Sequence, residues 1–238
     1  MVQPILSSSY LGFGNGNLHR DTKELEQLIE CLIENRNAEN GNIAIVGHST
    51  GCQNAIHFMK YGKEKLRSKV KVIALQAPVS DREHAMTEDN YDKNIQHAKS
   101  LKSNGKENEM MPRDAFWAPI TASRFLSLQD YNGDDDFFSS DLTEEEMVHN
   151  LGHIGQHNEL RLLAQYGGKD EYVPPHVDKN FLLQRLCNSM NKFCPQDTRN
   201  IAIPLMLEKS NHNLSKDVTE MDTFIKEVGQ LLVLESSQ

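Results

Sequence analysis

Residues 43–59, IAIVGHSTGCQNAIHFM, carry the clearest chemical signal in the chain. A short apolar run stops at Gly47, Ser49 follows two residues on, and Gly51 two beyond that. Apolar residues at helical spacing then resume. This is the pattern G-x-S-x-G with a strand before it and a helix after it, and the chemistry it offers is nucleophilic. A serine on a very tight strand-to-helix turn stands its hydroxyl above the sheet edge, and the flanking glycines relieve the crowding such a turn creates. The helix aims its N-terminus at the site, which makes the Thr50 amide the first candidate to hold a developing oxyanion. The plainer alternative is a tight turn in which Ser49 is an ordinary helix N-cap.

A serine hydroxyl is a weak nucleophile until a base takes its proton, and the base needs an acid to orient it. When such a serine sits on an elbow, its partners follow in the order Ser, Asp or Glu, His. The loop GGKDEYVP supplies Asp170, and the loop EKSNHNL supplies His212. Each comes just past an apolar strand pattern, on the sheet edge where Ser49 is expected. Glu171 is a neighbouring alternative to Asp170, and Asp81, after VIALQAPVS, is a second. The remaining histidines lack a strand-end position, apart from His48, which the turn pattern places inside the elbow, packed beside the sheet. His153 and His157 are spaced for one helix face, but Gly152 and Gly155 interrupt it.

These residues need a scaffold, and the apolar periodicity describes one. Residues 2–9 read as a short strand, and a helix is expected from Asp21, with Leu25, Leu28, Ile29 and Leu32 as its stripe. The segment NAENGN ends that helix. IAIVG reads as a strand buried on both faces, followed by VKVIALQAP, LRLLAQYGG and NIAIPLMLEK as further strands, with KNFLLQRLCNSMN and DVTEMDTFIKEVGQLLVLE as helices. Short apolar strands alternating with helices predict a mostly parallel sheet covered on both sides. From about residue 80 to 158 the chain turns polar and carries short helical signals, among them a capping box from Thr143 to Glu146. We read this stretch as a helical cap inserted into one domain spanning 1–238. Phe116, Trp117, Phe137 and Phe138 are candidate pocket-lining residues within it. The run Asp134–Asp136 reads as a solvated loop, and Gly12, Gly14 and Gly16 as a loop whose GxGxG spacing misses the dinucleotide fingerprint.

A formal net charge of -9 disfavours a nucleic-acid partner. No apolar run is long enough for a membrane span. The first residues lack a secretory signal, and Cys31, Cys52, Cys187 and Cys194 are scattered as reduced thiols would be, which predicts a cytoplasmic protein. The chemistry sketched above requires no cofactor and no metal.

GHSTGCQ is more specific than a bare elbow. Together with LSSSYLGFGNGNLHRD, FFSSDLTEEEM, LGHI and GGKDEYVP, it resembles a eukaryotic branch of the α/β-hydrolase superfamily found in fungi, plants and protists. The resemblance spans almost the whole chain. It implies the α/β-hydrolase fold, esterase chemistry through an acyl-enzyme on a small-molecule acyl ester, and Ser49, Asp170 and His212 as nucleophile, acid and base. Some fungal members are linked to ester bonds of hydroxamate siderophores. Members of the branch also have sequence ahead of the segment matching residues 2–9, including a strand whose loop supplies a second oxyanion amide. This chain reaches Ser49 early, so the resemblance predicts that N-terminal strands are missing, as in a shortened form. A gap is then expected between residues 2–9 and the elbow strand, or else a forced pairing of the two. A non-catalytic binding protein on the same fold is the rival reading, and acyl transfer to an acceptor other than water would use the same triad.

Overall fold

The computed structural model describes residues 1–35, 42–195 and 199–236. Four parallel strands form one sheet in the order β1-β2-β3-β4: Ile43–His48, Val70–Gln76, Arg161–Gly167 and Ala202–Leu207. Consecutive parallel strands need crossovers, and helices supply them. α1 (Leu18–Asn35) precedes β1, α2 (Thr50–Tyr61) and α3 (Glu64–Arg67) lead to β2, α8 (Lys179–Met190) joins β3 to β4, and α9 (Val218–Ser236) closes the chain.

Side-chain alternation along β2 and β3 builds a core on each face. Val70, Ile73 and Leu75 of β2, with Leu162, Ala164 and Tyr166 of β3, pack with α2 and α8 into the larger cluster. Val72 and Ala74 of β2 and Leu163 of β3 turn the other way, against Phe224 and Leu231 of α9. Helices therefore cover both faces, as the alternating pattern predicts. Pro204 sits in β4, an edge strand, where a missing N–H is tolerated.

Three local expectations need correction. α1 begins at Leu18, ahead of Asp21, because Asn17 Oδ1 accepts the Arg20 amide and caps the helix start. Its expected terminator NAENGN falls mostly outside the described residues. Residues 2–9 form no strand; they run irregularly into a 3-10 turn at Tyr10–Asn15. β1 is not buried on both faces either. It is the sheet's edge, with Ile43 and Ile45 packed against the larger cluster while Ala44 is exposed and Val46 is 57% exposed. The GxGxG stretch is used for close packing, since a Cβ at Gly14 would sit 1.7 Å from the Pro119 carbonyl oxygen.

Between β2 and β3 lie α4 (Asp81–Ala85), α5 (Tyr91–Ser103), α6 (Ala122–Gln129), α7 (Glu144–Leu151) and a 3-10 turn at Gly152–Gln156. α5 and α6 share a separate apolar cluster that includes Ile95, Ile120 and Phe125, whereas Phe137, Phe138, Met147 and Leu151 join the main core. The capping box forms, with Thr143 and Glu146 bonding reciprocally. The acidic run departs from the solvated loop expected of it. Asp136 is buried and pairs with Arg82 Nε at 2.8 Å, and Asp135 is buried and pairs with Arg124 at 2.6 Å. Arg82 also grips Asp141, so one buried guanidinium ties α4 to the segment ahead of α7. Arg82→Ala would strand the Asp136 carboxylate, and an expected loss of about 3–5 kcal/mol follows from breaking a buried pair on one side. Urea unfolding of the two proteins measures it. Arg82→Lys, which keeps one charged bond, should fall between them.

Candidate active site

Ser49 adopts φ 53° and ψ −124°, a region that L residues occupy only where the surroundings impose it. Two constraints impose it here. The Ser49 amide donates to the Gln76 carbonyl at 3.1 Å, extending the strand pairing, and one residue later α2 has already begun. Gly47 is required by this turn, because a Cβ there would lie 2.4 Å from the Gly51 carbonyl oxygen. Gly51 is different. A Cβ there would meet nothing within 4 Å, so crowding does not account for the second glycine. Ser49 makes no side-chain cap bond to α2, which removes the ordinary N-cap reading. Thr50 opens α2, and its N–H is one of the amides left unpaired at a helix start.

Asp170 and His212 meet as the chain order predicts. His212 Nδ1 lies 2.9 Å and 3.1 Å from the two Asp170 oxygens, and the residues are only 4% and 2% exposed. The two loops are locked together at their bases, where the Lys169 amide donates to the Ser210 carbonyl, and Gln76 Nε2, at the end of β2, donates to the His212 carbonyl at 2.8 Å. Among the described residues no hydrogen bond joins Ser49 Oγ to His212. Free enzymes commonly hold this contact long and tighten it on binding substrate.

The alternative acids have other partners. Glu171 accepts the His212 backbone amide at 3.1 Å, a bond that holds its carboxyl below the usual glutamate range. Asp81 accepts from Gln53 Nε2 at 3.2 Å, and Gln53 sits one turn along α2 from Ser49. Residue 81 is partly exposed, but its carboxyl is enclosed. Burial, reinforced by the charge of Asp135, pushes it up to about 7. The folded chain therefore holds a proton that the unfolded chain has released between the ordinary value of 3.8 and about 7, and stability should fall as pH rises through that window. Asp81→Asn is expected to raise the melting temperature, relative to the unsubstituted chain, more at pH 8 than at pH 4; thermal unfolding at the two pH values measures it.

Sequence reasoning missed the aromatic surroundings of His212. Its ring lies 4.5 Å from Tyr172 and 4.9 Å from His48. His48 is exposed rather than packed beside the sheet as expected. Gln76 was also missed, although a lone polar residue closing the apolar run VIAL was a legible signal. Of the proposed lining aromatics, Phe137 and Phe138 are core residues, and Phe116 stacks on Phe13 with centroids 6.1 Å apart. Trp117 instead borders a cavity of about 800 Å³ alongside β1, which Thr50 and Gly51 also line.

The family model described as "Protein of unknown function (DUF1749)" matches residues 1–232, and the chain belongs to that family. Fusarinine C esterase sidJ of Aspergillus fumigatus is 31% identical over 235 residues, covering 77% of this chain and 66% of that protein. The chain thus spans just under two thirds of that relative's length. The siderophore hydrolase EstB of Aspergillus fumigatus superposes with a TM-score of 0.75 at 26% identity, over 98% of this chain and 79% of that one. A solved α/β-hydrolase-fold protein of unknown function superposes with a TM-score of 0.60 at 15% identity, over 94% of this chain and 76% of that one. The fold is that of the α/β-hydrolases. No helix among the described residues is long and apolar enough to cross a membrane.

Proposed function

We propose that the chain is a serine hydrolase of carboxylic esters working through Ser49, His212 and Asp170. The observation that carries this reading is the strained, uncapped Ser49 on a sheet edge that also holds the buried Asp170–His212 pair. Esterase-type chemistry is further supported by the relative named as an esterase and the solved neighbour named as a siderophore hydrolase. In the proposed reaction Ser49 Oγ attacks the acyl carbon and its proton passes to His212 Nε2. Asp170 keeps the opposite nitrogen, Nδ1, protonated and correctly oriented. The Thr50 amide, at the positive end of α2, holds the oxyanion. The ester C–O bond then breaks, His212 returns the proton to the departing alcohol, and water releases the acyl group by the same steps. No cofactor enters this cycle.

The substrate class we assign is a small acyl ester, with siderophore-type esters favoured by the names of the two fungal proteins. We assign the insertion at about 80–158 to capping the site within a single domain. The four free thiols fit a reducing, cytoplasmic setting. A fluorophosphonate probe tests the central claim, since it should label the chain at Ser49 and nowhere else. A second reading, a non-catalytic binding protein, draws on the exposed edge of β1 and the cavity beside Thr50. It expects ligand-dependent thermal stabilisation without turnover of p-nitrophenyl acetate.

A further inference from the structure

His212 is held at more points than its pairing with Asp170 requires, and three of them come from one tripeptide. Asp170 takes the Nδ1 side of the imidazole. Glu171 takes the backbone N–H of the same residue at 3.1 Å. Tyr172 lays its ring 4.5 Å from the imidazole, and its own amide donates to Asp170 Oδ1 at 2.9 Å. The fourth hold, from Gln76 on the His212 carbonyl, comes from β2 and fixes the backbone on the other side of the His212 Cα. The Glu171 side chain reaches across from the loop after β3 to the loop after β4, and it is exposed, so burial does not explain why it points there. An exposed carboxylate bonding a backbone amide contributes little to overall stability. It can contribute more to reactivity, because a base displaced by a fraction of an ångström loses its alignment with the nucleophile.

We propose that Glu171 is a positioning residue that acts through the His212 backbone amide, so that Asp170, Glu171 and Tyr172 form a single clamp on the catalytic base. The proposal rests on the reading of His212 as that base. Glu171 touches neither substrate nor the reacting atoms. Its bond fixes where the His212 backbone begins, and the Tyr172 ring limits the swing of the imidazole.

The test compares Glu171→Ala with Glu171→Gln on p-nitrophenyl acetate. The alanine variant removes the acceptor and is expected to lower kcat by about tenfold with KM unchanged within about twofold. The glutamine variant keeps a neutral acceptor and should retain kcat within about twofold. Equal kcat in the wild type and both variants would overturn the proposal, as would an equal loss in both. If the wild type shows no turnover and no fluorophosphonate labelling, the hydrolase reading fails separately. Proton exchange of the His212 backbone amide, followed by NMR, then decides the clamp alone. Faster exchange in Glu171→Ala than in Glu171→Gln supports it, and equal exchange overturns it.

Discussion

Ser49→Ala is expected to lower turnover of short-chain esters by a factor of about 10⁴–10⁶ and to abolish fluorophosphonate labelling. The size follows from the order of events. With no oxygen to attack the acyl carbon, no acyl-enzyme forms, and the correctly placed base and helix N-terminus can only assist direct attack by water, which they do weakly. The structure also makes this substitution clean. The Ser49 hydroxyl caps nothing, so its removal orphans no helix amide. Alanine meets the same positive-φ strain that serine already bears at φ 53°. The melting temperature should therefore stay within a few degrees of the unsubstituted value, and the lost activity cannot be charged to unfolding. If the substituted and unsubstituted chains turn over esters equally, or both take the probe, the nucleophile assignment is wrong. If neither shows turnover or labelling, and a ligand still raises the melting temperature, the binding-protein reading takes its place.

The parts of the fold that were legible in the sequence are those whose periodicity is enforced by burial. β2 and β3 lie inside the sheet, so their apolar runs had to be continuous, and both were identified near their true bounds. β1 has the same kind of run, yet it is an edge strand. Composition cannot separate the two cases, because the difference lies in what stands beside the strand. Residues 2–9 failed for a related reason: PIL and a serine run satisfy strand propensity, but a strand needs a neighbour to pair with, and these residues found none. The run Asp134–Asp136 was misjudged because a buried carboxylate is readable only through its partners. Arg82 is 54 residues from Asp136, and Arg124, 11 residues from Asp135, lies on a separate helix, so no local pattern pairs them. At the site, the order Ser, Asp, His could be read because each residue follows its own strand. The hold of Glu171 on His212 could not, since it joins the ends of two strands adjacent in the sheet but distant in sequence.

Asp170→Asn is the second large effect, expected to lower kcat by about 10³–10⁴. The substitution is nearly isosteric, and its cost is electronic and tautomeric. Asparagine can offer His212 Nδ1 an N–H in place of a carboxylate oxygen, which places the imidazole proton on Nε2, where the Ser49 proton must arrive. It also withdraws the negative charge that balances the imidazolium in the transition state. Asp81→Asn supplies the contrast. Asp81 is engaged by Gln53 and is pushed up to about 7, so near neutral pH part of the population already carries no charge there. An acid in that state makes a poor partner for an imidazolium, and its loss is expected to change kcat by no more than about threefold. Steady-state kinetics on the two single variants and the double variant decide between them. If Asp170 is the acid, the double variant matches Asp170→Asn. If Asp81 shares the role, the double variant falls well below either single one, and the residual activity of Asp170→Asn must be credited to Asp81. The 2.9 Å contact between His212 Nδ1 and Asp170 favours the first outcome.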